Sequence, residues 1–357
     1  MTMIPLFGHA AVQKRLASAA DRGALPASLL LHGPAGIGKQ RVALWLAQRL
    51  LCDGPAPRPC GACQHCRYAE ALTHPDLHWV FPRPRLKDSD PTAADVFADY
   101  GEAIAERAKA NGLYAAPGGN EGIFIATVRA IVQTASLAPA VAARKVFIVG
   151  DAERMVSQEG ADQAANAFLK LLEEPPANTN VILTTSEPGA LLPTIRSRVI
   201  AVRLARLADP EVAAFLAESR VAERLAAESL PREHDTLLRL ANGAPGTLLS
   251  HGALGDAMTR ARRLLAAATA DRAERMRAAF VQGSARARGE FSDALDALTV
   301  LLHERTRAAV SANDADSALR ASRAVNAVER AKAAAAGNAN PQLVTFTLLG
   351  ELEAALR

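Results

Sequence analysis

At 357 residues the chain is long for one ordinary domain, and roughly 150 residues per domain suggests two or three. Half of the residues are hydrophobic but only 4% are aromatic, and the surplus of Ala and Leu predicts mostly helix with one sheet. Forty-one basic against 37 acidic residues leave a net charge of +4, too mild by itself to indicate nucleic-acid binding. No apolar stretch approaches the ~18 residues of a spanning helix, and the opening MTMIPLFGHAAVQKRL lacks the basic-then-apolar pattern of a signal peptide, so a cytoplasmic protein without membrane contact is expected.

In chain order, residues 11–22 read as a short helix. Leu29, Leu30, Leu31 and His32 form an apolar strand that ends at a glycine-rich turn, Gly33 to Gly38, and a helix follows from Lys39 to Leu51. Strand, loop and helix in this order open a parallel α/β domain. His74 to Val80 reads as a second strand. Residues 83–121 turn polar, with Pro or Gly at both ends and a helical middle near 94–110, and read as an insertion or loop. Ile123 to Ile125 reads as a short strand, Val128 to Ser136 as a helix, and Lys145 to Val149 as a buried strand ending at Gly150 and Asp151. A helix at about 161–172 stops before Pro175 and Pro176, and Val181 to Thr185 makes a fifth strand. Functional loops belong at the strand C-terminal ends. Beyond Leu204 only helices are expected: a small set at 206–253, then an Ala-, Leu- and Arg-rich bundle at 254–357 that reads as an oligomerisation surface.

The run Gly33-Pro34-Ala35-Gly36-Ile37-Gly38-Lys39-Gln40 has the GxxxxGK spacing of a phosphate-binding loop. Its glycines let backbone amides turn inward around phosphate, and Lys39 reaches the terminal phosphates. The next position should carry Ser or Thr to ligate magnesium, and here it is Gln40. The acidic pair expected after the Lys145–Val149 strand is also incomplete. Gly150 falls on the metal-binding position and Asp151 on the water-activating one; a shift of one residue puts Ala152 second. ATP hydrolysis in cis is therefore not expected, while nucleotide binding through Lys39 stays open.

All four cysteines, Cys52, Cys60, Cys63 and Cys66, are separated by seven, two and two residues. Four thiolates at this spacing suit a closed, tetrahedral, structural zinc site, with an iron-sulfur cluster or disulfides as the competing explanations. His65 is expected outside the ligand set, as an outer partner or facing solvent.

The run Asn166-Ala167-Phe168-Leu169-Lys170-Leu171-Leu172-Glu173-Glu174-Pro175-Pro176, followed by Thr194-Ile195-Arg196-Ser197-Arg198-Val199, resembles the signature helix and the SRC motif of AAA+ subunits of bacterial DNA polymerase III clamp loaders. That resemblance implies an AAA+ domain at 1–205 with a zinc module at about 52–79 and the 83–121 insertion, a lid at 206–253 and a collar at 254–357. It implies that Arg198, with Ser197 beside it, reaches a neighbouring subunit's ATP as an arginine finger in trans, and that Thr185 takes the sensor 1 position. Gly243-Ala244-Pro245-Gly246 lies where an ATPase carries a sensor 2 arginine, which is a third departure from the hydrolytic pattern. Within the family the zinc module is common to the tau/gamma ATPase subunit and to the delta-prime branch, and eroded nucleotide machinery is similar to the latter. The implied partners are tau/gamma and delta subunits and, through the complex, the sliding clamp and primed DNA. An ATP-hydrolysing tau/gamma-type subunit is the alternative. A third reading makes Arg58, Arg67, Arg83 and Arg85 a DNA-binding patch, interrupted by Asp76, Asp88 and Asp90.

Overall fold

The computed structural model describes residues 3–117, 121–155, 162–226, 230, 233–281, 288–336 and 340–356. They form two compact units, the first ending at Ser250 and the second starting at His251.

The first unit is built on five strands: β1 (Ser28–His32), β2 (Leu77–Val80), β3 (Lys145–Val149), β4 (Thr179–Thr185) and β5 (Ile200–Arg203). All pair in parallel, in the order β2-β3-β4-β1-β5. β3 and β4 are buried along their whole length, as expected of parallel strands covered on both faces. The helices of this unit are α1 (Ala10–Asp21), α2 (Lys39–Leu51), α3 (Gln64–Glu70), α4 (Ala93–Lys109), α5 (Ile125–Ala135), α6 (Asp162–Glu173), α7 (Pro193–Arg196), α8 (Asp209–Ala217), α9 (Ser219–Ala226) and α10 (His234–Ala241). Apolar residues of α8 to α10, among them Val212, Phe215, Val221 and Ala241, join the same hydrophobic core as the sheet.

One strand expectation is corrected. Ile123–Ile125 is not a strand: Ile123 makes one isolated bridge to Met155, and Phe124 already caps α5. The fifth strand is instead Ile200–Arg203, an exposed edge paired only with β1, whose short run after the SRC-like motif carries weak periodicity. In the 83–121 segment the expected helical middle near 94–110 is α4. A reciprocal cap between Thr92 and Asp95 starts α4, and Val96, Tyr100 and Ala103 enter the main core. The buried Tyr100 hydroxyl donates to Phe81 O at 2.8 Å.

Asp76 is fully buried and accepts the backbone N–H groups of Ala140, Val141 and Ala142, which keeps its carboxyl below the usual range despite desolvation. It therefore pins the turn before β3 and does not interrupt a surface patch. Arg83 forms a two-pronged pair with Asp99, at 2.9 and 3.1 Å, so it too is committed within the fold.

The second unit holds α11 (His251–Ala268), α12 (Arg272–Val281), α13 (Arg288–Ser311), α14 (Ala315–Ala336) and α15 (Pro341–Leu356). It has its own core, with Leu264, Phe291, Leu298, Leu302, Val328, Leu348 and Leu352 buried at helical spacing. No described helix is long and apolar enough to cross a membrane.

On β2, His78 stacks on Phe147 with ring centroids 4.8 Å apart and lies 5.0 Å from Phe97, and its Nε2 is buried without a partner. Burial, with Lys145 and His74 adding to it and Asp76 opposing, lowers its pKa to about 4. The ring thus stays neutral in the folded chain down to that pH, whereas the unfolded chain takes up the proton near pH 6.5. Stability is expected to fall as pH drops from about 6.5 to 4, by on the order of 1–2 kcal/mol at pH 5. Urea denaturation at pH 7 and pH 5 should show His78→Phe losing less than the wild type over that interval.

Candidate functional site

The C-terminal ends of β1, β4 and β3 lie side by side, which brings together the phosphate loop, Ser186 and the Gly150–Asp151 turn. Gly36 and Gly38 take positive φ of 74° and 91°, conformations that favour glycine, and the loop passes directly into α2. Lys39 is buried, and its Nζ donates to Gly33 O at 3.0 Å, Pro34 O at 2.9 Å and Ser186 Oγ at 2.8 Å. Burial lowers its pKa, while Asp151 and Glu153 pull the other way. The loop is also covered by its own chain. Gly246 N donates to Gly36 O at 2.9 Å, His9 Nε2 meets Ile37 O at 2.7 Å, and a Cβ on Gly36 would stand 2.7 Å from Thr247. The Gly243–Gly246 segment thus meets the loop through its backbone. Thr185, fully buried, accepts from Glu187 N and does not reach the lysine; Ser186, the next residue, does.

Gln40 is buried between two hydrogen bonds. It accepts from Trp79 Nε1 at 2.9 Å and donates to Asp151 Oδ2 at 3.0 Å. Its amide lies so close to Gly150 that a Cβ there would come within 2.5 Å of Gln40 Cδ and Oε1. Asp151, at φ 49°, donates its backbone N–H to Thr184 Oγ1. Burial raises the Asp151 pKa, helped by Glu153 and opposed by Lys39, Arg154 and Arg107. Glu153 accepts from Ser186 N at 2.9 Å. Arg107 of α4 stacks its guanidinium over Phe81, Tyr114 and Trp79, at 3.2, 3.8 and 4.7 Å from the ring centroids. Sequence reasoning missed Ser186, Trp79 and Arg107. Trp79 carried a signal, because a buried indole N–H needs an acceptor.

The four cysteine sulfurs lie within 4.8 Å of one another, and the pairs Cys60–Cys66 and Cys52–Cys63 are each 3.9 Å apart. A tetrahedral ion with metal–sulfur bonds of ~2.3 Å places its sulfurs about 3.8 Å apart, so the quartet fits a metal ion. Backbone N–H groups of Cys60, Cys63 and Cys66 each point at a cysteine sulfur. The amides of Cys63 and Ala62 lower the Cys60 thiol to about 6, whereas burial pushes the Cys66 thiol up. His65 lies outside the sulfur quartet, mostly buried, with Nδ1 2.9 Å from His74 Nε2; it does not face solvent.

Ser197 and Arg198 follow α7, Ser197 exposed and Arg198 partly exposed. Arg198 donates from Nε to Glu173 Oε2 at 2.8 Å and from Nη1 to Thr194 O at 3.0 Å, and Ser197 Oγ donates to Thr194 O. With side chains 31% and 58% exposed, the Arg198–Glu173 pair contributes only about 0–1 kcal/mol.

Together these features define a P-loop α/β scaffold with a cysteine-clustered module, in which the residues beside the loop satisfy one another. The family model described as DNA polymerase III, delta subunit, matches residues 8–208, more than half of the chain, and the chain belongs to that family. It is 36% identical over 172 residues to the DNA polymerase III subunit delta' of Pseudomonas aeruginosa, covering 48% of this chain and 40% of that one. It is 32% identical over 231 residues to that of Escherichia coli, covering 62% and 53%. A DNA polymerase III subunit gamma/tau of Mycobacterium tuberculosis is 30% identical over 244 residues, covering 68% of this chain and 35% of its own length. The chain spans about half the length, or less, of these curated relatives.

The Gln40–Gly150 contact makes a specific demand. Gly150→Ala is expected to cost about 1–3 kcal/mol in urea unfolding, because Gln40 is held at both bonding ends and cannot step aside. Gln40→Ala should open the space, so that adding Gly150→Ala to it costs much less.

Proposed function

We propose that this chain is a delta-prime subunit of the DNA polymerase III clamp loader, an AAA+ protein that does not hydrolyse ATP and acts by completing a neighbour's active site. The observation that carries the reading is Gln40. Its amide lies where a Ser or Thr hydroxyl and an acid would share a magnesium ion, and it is held there by Trp79 and Asp151 against a residue with no side chain. Without the hydroxyl and the acid the metal shell is short of two ligands, and charge on a transferring phosphoryl group goes unneutralised. The bonds that Lys39 makes to loop carbonyls and Ser186 would compete with any phosphate.

Arg198 is the proposed trans-acting finger, with Ser197 in the same motif. A planar, permanently charged guanidinium suits charge developing on a γ-phosphate, and this one is partly exposed in the turn that follows α7. The partners in this reading are the tau/gamma ATPase subunits and delta, with the sliding clamp and primed DNA engaged through the complex, in the cytoplasm. The 206–253 helices would serve as the lid and 254–357 as the collar. The metal is proposed to be zinc in a structural role, since four thiolates close the shell and leave no open position. Metal analysis should return one zinc per chain, and iron or no metal would refute that part.

The main test is DNA- and clamp-stimulated ATP hydrolysis by a complex reconstituted with tau/gamma and delta. After confirmed assembly, Arg198→Ala is expected to lower the rate by at least about tenfold. An unchanged rate would leave the chain a scaffold only. ATP turnover by the isolated chain that is abolished by Lys39→Ala would instead establish an active tau/gamma-type subunit.

A further inference from the structure

Two arginines lie in the Thr194–Val199 segment, and the structure treats them differently. Arg196 Nη1 only approaches Pro188 O at 3.5 Å. Arg198 is fixed at two points, by Glu173 Oε2 on Nε and by Thr194 O on Nη1, which leaves Nη2 without a hydrogen bond among the described residues. Both anchors of this arrangement are rigid. α6 is held in the core by Phe168, Leu171 and Leu172, and α7 by Ile195. Glu173 is the last residue of α6, a place where the helix macrodipole disfavours a carboxylate. An acid there works against its own helix, and its partner is the guanidinium 25 residues away.

We propose that Glu173 is the positioning residue for Arg198: its carboxylate grips Nε so that the Nη2 edge is presented outward to the neighbouring subunit's nucleotide. This rests on the reading of Arg198 as a trans-acting finger. A free arginine side chain samples many rotamers, and ordering it only in the transition state would subtract from catalysis. A carboxylate on Nε removes most of that search without occupying the donor that would face phosphate. Because Glu173 itself is more than half exposed, the pair is also accessible to a docked subunit.

The experiment is a double-mutant cycle in the reconstituted, clamp- and DNA-stimulated complex, with assembly of every variant verified by gel filtration. Glu173→Ala is expected to lower kcat for ATP about three- to tenfold while leaving KM for ATP unchanged, since ground-state binding of ATP belongs to the neighbour. Glu173→Gln, which keeps an acceptor for Nε, should fall between Ala and wild type. In an Arg198→Ala background Glu173→Ala should have no further effect. Wild-type kcat in Glu173→Ala, or losses that simply add in the double variant, would overturn the positioning role while leaving the finger intact. An Arg198→Ala complex with full activity would instead overturn the finger reading on which it rests.

Discussion

A buried lysine amino group and the polar backbone of a tight glycine loop need hydrogen-bond partners wherever water is excluded. In this chain that requirement is met from four directions. Lys39 turns back onto the carbonyls of Gly33 and Pro34 and onto Ser186, Gly246 bonds to Gly36, His9 meets Ile37, and Gln40 bridges Trp79 and Asp151. Each of these contacts comes from a different part of the first unit, so satisfying the loop ties the N-terminus, the sheet ends and the 243–247 segment together.

The Gln40 bridge explains several features that look unrelated along the chain. Gly150 has no side chain because the Gln40 amide takes that volume. Trp79 is buried at the end of β2 with its N–H satisfied by the same amide. α4 packs against this region: it places Tyr100 edge-on against Phe81 and carries Arg107 into the cluster of Phe81, Tyr114 and Trp79. Burial lowers the Arg107 pKa, and the ring faces offset part of the lost hydration. The cysteine module is joined to the same body through Arg49 of α2, which bonds Arg58 O and pairs with Asp21 of α1 at 2.5 Å.

Interior and surface arginines therefore play opposite parts. Arg107 is immobilised among aromatic rings, where its charge acts on Asp151. Arg198 is partly exposed and held at two of its nitrogens, by Glu173 and by Thr194 O. The contrast follows from where they sit, Arg107 on a long helix packed into the core and Arg198 in the turn just after the short α7.

The sequence by itself determined the parts whose signals are local. The strand, glycine turn and Lys39–Leu51 helix, the buried strands before Gly150 and at Thr185, the clustering of Cys52, Cys60, Cys63 and Cys66, and the loss of the Ser or Thr after Lys39 all rest on spacing within a short window. Only the tertiary structure decided which short β-branched run joins the sheet, because Ile200–Arg203 becomes a strand by pairing with β1 and Ile123–Ile125 finds no such edge. It also decided that Ser186 touches Lys39, that Gln40 fills the space beside Gly150, and that Glu173 grips Arg198. Those contacts join residues 25 to 147 positions apart. Hydrophobic period and motif spacing report a residue's own element, whereas a side-chain contact across the fold depends on how separate elements pack, which no local pattern encodes.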